Sequence, residues 1–246
     1  MRQRELPVLA ADCSRCFGLC CVRLPFRRGS GFGIDKDSGT ACDHLDQHDR
    51  RGIHDRLRET GWSGCATFDC FGAGQQVSQV TYGGESWRVN ENLGEMAAVL
   101  SVMRQLHEML ALLDEAVRRG ASDAGPWVER LVGLVGGTPD ELLALDIDEL
   151  RQDVGGVLAE ASRAVRSRWP DALDLAGQDL AGRDLRALDL RGAALRGAVM
   201  LGVDLRDCDL TDTDLLGADL RGADARGADL SAALFLTIAQ RAVLRT

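Results

Sequence analysis

Aromatic side chains make up only 4% of this 246-residue chain. They supply little area for a large core, so part of the chain must stack small side chains instead. The N-terminal stretch MRQRELPVLAADC has no apolar h-region and does not read as a secretory signal. No run approaches the roughly 18 apolar residues of a membrane span. The expected location is therefore cytoplasmic, with no membrane partner, and thiols there stay reduced unless metal holds them. HExxH, GxSxG and GxxxxGK[ST] are all absent, which removes the commonest signatures of metalloproteases, serine hydrolases and P-loop enzymes. A basic surface is missing too. The net charge of -9 argues against direct nucleic-acid binding and leaves open a partner with a basic groove.

Cysteine is nearly absent after residue 70. Seven of the eight cysteines precede residue 71, and Cys208 alone lies beyond. The asymmetry divides the chain into a cysteine-rich part (1–90), a helical segment (91–170) and a repetitive tail (171–246).

From Leu173 the tail reads LDLAG QDLAG RDLRA LDLRG AALRG AVMLG VDLRD CDLTD TDLLG ADLRG ADARG ADLSA, twelve units of five residues. Asp precedes the central residue in ten of the twelve units. A period of five fits neither a helix nor a plain strand, and a Gly in most units disfavours helix further. The pattern asks the chain to turn once per unit, with the central Leu inward and Asp and Arg outward. Stacked turns of this kind make a solenoid. The repeats resemble the pentapeptide-repeat family, with motif A-(D/N)-L-x-x. That resemblance implies a right-handed quadrilateral β-helix with four units per coil, here about three coils. Some long members look like B-DNA and protect a topoisomerase. The tail holds 12 Asp against 7 Arg. Three coils at about 4.8 Å span only roughly 15 Å, a poor length for filling a topoisomerase saddle. Two successive units lose the Asp, at Ala194 and Val199, beside Met200 and Leu201. This predicts an apolar patch that docks the middle helices, another protein or a second copy in a homodimer. Phe235 and Leu236 read as a cap.

The middle is helical by period. Met96, Val99, Leu100, Met103, Leu106, Leu110 and Leu113 place one amphipathic helix over 91–120. A second is expected over 126–135. Thr138-Pro139-Asp140-Glu141 spells a capping box that opens a short helix. A final helix from Ile147 to about Arg168 meets Gly155 and Gly156, where a kink or break is expected. His107 reads as packed or solvated rather than as a ligand.

The head carries the chemistry. Cys13, Cys16, Cys20 and Cys21 open it, Cys42 and His44 follow, then His48 and His54, and Cys65 and Cys70 close it. Thiolates are soft, charged ligands for zinc or iron, and a metal can replace the core that so short a segment cannot build. Cys13, Cys16, Cys20 and Cys21 lead as ligands, with Cys42, Cys65 and Cys70 next and His44 and His54 behind. Buried free cysteines and disulfides are the bland alternatives. The pieces CSRCFGLCC, CDHL, GIH and GCATFDC resemble the zinc- or iron-chelating domain family, and also a group of actinobacterial proteins that join such a head to pentapeptide repeats. Where that pattern has a cysteine before Gly52-Ile53-His54, this chain has Arg51, which cannot ligate metal. Cluster type and nuclearity stay open, since seven thiols exceed the four of one zinc or one [4Fe–4S] cluster.

Three functions follow. The first is a protein binding Zn or Fe, as single ions or an Fe–S cluster, with the solenoid as a docking face. The second is a DNA-mimicking topoisomerase protector with a structural metal head. The third is an iron-dependent or redox enzyme of a biosynthetic pathway, for which the residues support no named reaction.

Overall fold

The computed structural model describes residues 5–53, 56, 57 and 59–246. The chain separates into two compact units, one of residues 1–117 and 122–156, the other of residues 118–121 and 157–246.

In the first unit the head is built from short elements. α1 (Leu19–Arg23) is followed by a 3-10 turn at Arg28–Ser30, α2 (Ser63–Thr67), α3 (Ala73–Gln75), a π-helical turn at Gln76–Thr81 and α4 (Trp87–Asn90). Isolated antiparallel bridges, Phe26 with Lys36 and Leu45 with Arg51, pin the loops between α1 and α2. A small apolar cluster of Cys21, Phe26, Cys42, Leu57 and Trp62 fills the space they enclose. Phe26 and Phe32 stack with centroids 4.4 Å apart.

α5 (Leu93–Arg118) realises the long amphipathic pattern. Met96, Val99, Met103, Leu106, Leu110 and Leu113 are all buried along one stripe. By length and composition this helix could cross a membrane, with a mean hydropathy of 1.3 over its most apolar window, contrary to the sequence expectation. Arg104 and Glu108 on this helix pair across one turn, and 56% of its most apolar stretch is buried within the protein. His107 is fully buried on the same helix. α6 (Ala124–Val135) and α7 (Pro139–Leu143) follow, and the Thr138–Glu141 capping box is present in full.

α8 (Ile147–Arg166) runs unbroken through Gly155 and Gly156. The expected break does not form. Two glycines cost a helix about 1 kcal/mol each, and burial of Leu150, Val154, Leu158 and Ala161 at helical spacing offsets that.

The second unit is the repeat solenoid. Parallel bridges join Asp174 to Ala194, Val199 to Asp219 and Asp204 to Asp224, always 20 residues apart, so four five-residue units make one turn. The coils meet through these isolated bridges, and no extended strand forms among the described residues. Each contact is brief because every unit must bend again within five residues. Leu175 N–H donates to Ala194 O at 2.8 Å and Leu195 N–H to Asp214 O at 2.9 Å. Leu180, Leu185, Leu190, Leu195, Met200, Leu205, Leu210, Leu215 and Leu220 form a buried ladder, each at most 3% exposed. Each such side chain contributes about 1.5–3 kcal/mol by leaving water.

The Asp of each unit is more than an outward charge. Its Oδ1 accepts the backbone N–H two residues on, as in Asp179 to Ala181 (3.0 Å) and Asp209 to Thr211 (2.9 Å), and so closes the turn. Asp212 is different. It sits at positive φ, where most units have Gly, and its carboxylate is buried. Arg168 Nη2 reaches it at 2.7 Å and Trp169 Nε1 donates to it at 2.9 Å.

The expected apolar surface at the two Asp-less units is mostly absent. Ala194 is buried, Met200 is a rung of the ladder and Val199 is half-buried, leaving Leu201 exposed. The loss of Asp at these units swaps an outward carboxylate for a small residue that packs. The far end is closed by Phe235, which is buried, and by α9 (Ile238–Ala242). Gln240 Nε2 donates to Leu215 O and Ala218 O, satisfying carbonyls of the last coil.

Candidate metal centre

Cys13 and Cys16 sit in a loop that has little structure of its own. It is held from outside by the helical stretch after Gly72. Gln75 accepts Asp12 N–H at 3.1 Å and donates to Ala10 O at 2.7 Å. Ser78 Oγ accepts Phe17 N–H at 3.1 Å, and Gln79 Nε2 donates to Arg15 O at 2.8 Å. Trp87 Nε1 donates to Phe17 O at 3.0 Å. These four side chains fasten both ends of the Cys13–Cys16 turn, and none of them belongs to a cysteine motif.

Gly74 explains how two distant thiols come together. A Cβ added there would lie 2.8 Å from Cys16 Sγ and 3.8 Å from Cys70 Sγ. The bare glycine lets Cys16 Sγ approach the α3 backbone, and Cys70 Sγ lies at ordinary contact distance from the same point. Cys20 and Cys21 belong to α1, so they are not splayed as an extended chain would splay them. Their sulfurs are 4.0 Å apart. Two thiolates on one tetrahedral zinc, with Zn–S about 2.3 Å, stand about 3.8 Å apart.

Six head cysteines, Cys13, Cys16, Cys20, Cys21, Cys65 and Cys70, line one cavity of about 440 Å³. Two other sequence candidates do not line it. Cys42 does not line the cavity but is sealed at 1% exposure in the apolar cluster beside Trp62. His44 packs edge-on against the Trp62 ring, centroids 5.0 Å apart. His48 is exposed next to Gln47. His54 lies outside the described residues. Cys208 is buried in the solenoid ladder as a packing residue. Among the described residues no three His, Cys, Asp or Glu side chains are already drawn close enough to hold a metal ion.

Arg51 enters the same cavity. Its guanidinium lies over the Trp62 ring at 5.4 Å, its Nη2 donates to Cys65 Sγ at 3.0 Å, and its Nε is buried without a partner. No carboxylate among the described residues pairs with it. Lys36 Nζ, also buried, donates to Val22 O and Leu24 O at the end of α1. Arg51 is thus the cation that lines the cavity with the thiols, while Lys36 is held by backbone carbonyls and the Phe26 ring nearby.

The thiols respond to burial and to one another. Desolvation pushes Cys13 up to about 11 and Cys16 up to about 12. Cys20 is raised by its hydrogen bond with Cys21 and by burial. Cys21 is lowered to about 7, first by the hydrogen bond from Cys20 and then by Arg51 and Lys36. Burial raises Cys65 despite the Arg51 bond. Bare, the site therefore holds mostly neutral thiols. A bound metal deprotonates its thiol ligands outright, and the resulting thiolates would offset the charge of Arg51. Soft thiols are the donor type that zinc and iron take, although no three of these side chains are gathered into a site among the described residues.

The solenoid surface carries matched charge. Asp184, Asp189, Asp204, Asp219 and Asp224 each pair with the Arg two residues on, at 2.6–2.7 Å. These pairs neutralise part of the surface, and the excess of Asp over Arg in the repeats keeps it net negative.

Compared with known proteins, the chain is 44% identical over 166 residues to the uncharacterized protein YybG of Bacillus subtilis (strain 168), across 65% of this chain and 60% of that relative. The chain thus spans less than two thirds of the relative's length. Residues 174–212 and 201–235 match the model of the pentapeptide repeats family in eight copies, so residues 174–235 are a pentapeptide-repeat region.

Proposed function

We propose that the head binds zinc or iron through its thiolates and that the solenoid serves as a protein-docking scaffold. The observation that carries the metal reading is the gathering of six thiols, from segments 57 residues apart between Cys13 and Cys70, onto one cavity that also holds Arg51. Buried charges require partners, and metal-bound thiolates would supply them. Cys13, Cys16 and Cys70 would form one group around Gly74. Cys20 and Cys21 would form a second, with Cys65 held by Arg51. When bound, zinc would supply structure or Lewis acidity, and an Fe–S cluster would supply electron transfer. The repeat register of four units per turn supports reading the tail as a four-sided β-helix whose outer faces are free to dock a partner. The short span of about three coils, roughly 15 Å, favours docking over DNA mimicry.

Metal analysis of anaerobically purified protein tests the reading. At least one equivalent of zinc or iron per chain is expected, with visible absorbance if the metal is an Fe–S cluster. Joint Cys16→Ser and Cys70→Ser substitution should abolish loading, whereas Cys208→Ser should leave it unchanged. Wild-type protein that takes up neither metal would overturn the proposal.

A further inference from the structure

The cavity is larger and more apolar than thiol ligation requires. Beside the cysteines, its wall is made by Leu24, Phe26, Phe32, Leu45, Leu57 and Leu100. Its volume of about 440 Å³ lies within the range of small-molecule sites, which pair apolar walls with a few placed polar groups. Into this wall projects one guanidinium. Arg51 has five N–H donors. One nitrogen serves Cys65 Sγ, and the buried Nε serves nothing. The Trp62 ring holds the guanidinium plane from one side. The guanidinium lies over the Trp62 ring and lines the cavity, and its remaining Nη–H donors, beyond the one on Cys65 Sγ, can meet the oxygens of a carboxylate.

We infer that this cavity also binds a small organic carboxylate, its head on Arg51 and its apolar body against the leucine and phenylalanine wall. The site is the one assigned to metal above, but carboxylate binding does not depend on metal being present. Asp49, which also lines the cavity, does not compete for Arg51. Its carboxylate is taken by Arg88 Nε at 2.7 Å and by Ser86 Oγ. A free carboxylate of the ligand therefore has Arg51 as its natural partner. A neutral molecule of the same shape keeps the apolar contacts and loses the charge-assisted bonds.

Octanoate is the probe and 1-octanol its neutral counterpart. Binding to the full chain is followed by ligand-observed NMR and calorimetry, with metal content measured on the same samples before and after chelation. Octanoate should bind saturably, and 1-octanol should bind about tenfold or more weakly, as expected for loss of hydrogen bonds to a charged group. Arg51→Gln should weaken octanoate about ten- to a hundredfold and leave 1-octanol unchanged. Arg51→Lys should restore part of the loss, because it keeps the charge and gives up the fork. Folding of each variant is checked by its helical circular dichroism. Octanoate binding that is equal in wild type and folded Arg51→Gln overturns the inference. So does the absence of binding at millimolar octanoate in protein that carries metal, and that outcome leaves the metal reading intact. Arg51-dependent binding in protein that never takes up metal would support the inference while overturning the metal reading.

Discussion

His107 shows how one buried side chain sets a dependence on pH. Its Nδ1 lies 2.7 Å from Phe71 O, and a carbonyl can only accept, so Nδ1 carries the proton and donates. Nε2 is buried with no partner, which is tolerable for a bare lone pair but not for a second N–H. Burial accordingly lowers the histidine below its ordinary value, against a smaller opposing effect of the Phe71 bond. The sign follows from linkage. Above about pH 6.5 the ring is neutral folded and unfolded alike. As pH falls below that value the unfolded chain takes up a proton that the folded chain resists, and stability is lost until the lowered folded value is reached. Denaturant unfolding at steps from pH 7.5 to 5 should therefore show falling stability of the first unit. His107→Gln should flatten that slope while lowering stability at pH 7.5. An unchanged slope in the variant would mean that other groups carry the dependence. Arg51 makes a related point. The sequence marked it as the wrong residue at a ligand position, and the structure gives it a sulfur to bond, a ring to lie on and a cavity to face.

The solenoid was legible because its physics is local. One unit turns the chain, and repeating the turn places Leu above Leu, so period alone exposes the architecture. The role of Asp was only half visible, since a carboxylate that closes a turn and one that faces solvent look alike in a sequence. Gly192 allows a test of the turn itself. Gly192 and Gly197 both have positive φ, at 67° and 64°. A Cβ at Gly197 would meet nothing within 4 Å, but one at Gly192 would strike Trp169 at 2.4 Å. Trp169 cannot easily yield, because its Nε1 is tied to Asp212. Gly197→Ala should cost about 1–2 kcal/mol for the left-handed backbone alone. Gly192→Ala should cost about 1–3 kcal/mol more, from overpacking. Thermal unfolding of the two variants measures the difference, and equal losses would show that Trp169 does not constrain the coil. The elements of the head were less legible for a physical reason. Gln75, Ser78, Gln79 and Trp87 fasten a loop 60 or more residues earlier in the chain, as in Ser78 to Phe17 and Gln79 to Arg15. Such long-range bonds leave no period and no spacing to read. Clustering of cysteines in the sequence announced chemistry there. It did not reveal that Cys42, packed with the cavity-lining Cys21, and His44, against Trp62, do not line the cavity that six other thiols share.

The two units differ in what stabilises them, so under the metal reading proposed above, removing metal should act on one alone. The second unit rests on its Leu ladder, its interturn backbone bonds and its buried Asp212 pairs. Its single thiol, Cys208, packs in that ladder and makes only long contacts, to Leu185 O and Arg206 O. The first unit has a substantial helical core around α5, but its head relies on a cluster of five buried residues, two of them cysteines. A ligand that binds only the folded state stabilises by mass action, and a metal held by several thiolates does so strongly. Calorimetry of the anaerobic, metal-loaded protein should resolve two transitions. Chelation with 1,10-phenanthroline should lower one of them by roughly 5 °C or more and leave the other in place. Cys16→Ser with Cys70→Ser should reproduce the same selective shift without chelator, and Gly192→Ala should move only the transition that chelation spares. If chelation moved both transitions together, the units would not unfold independently. A chelator that strips measured metal yet moves neither transition would remove the metal from the stability of the head.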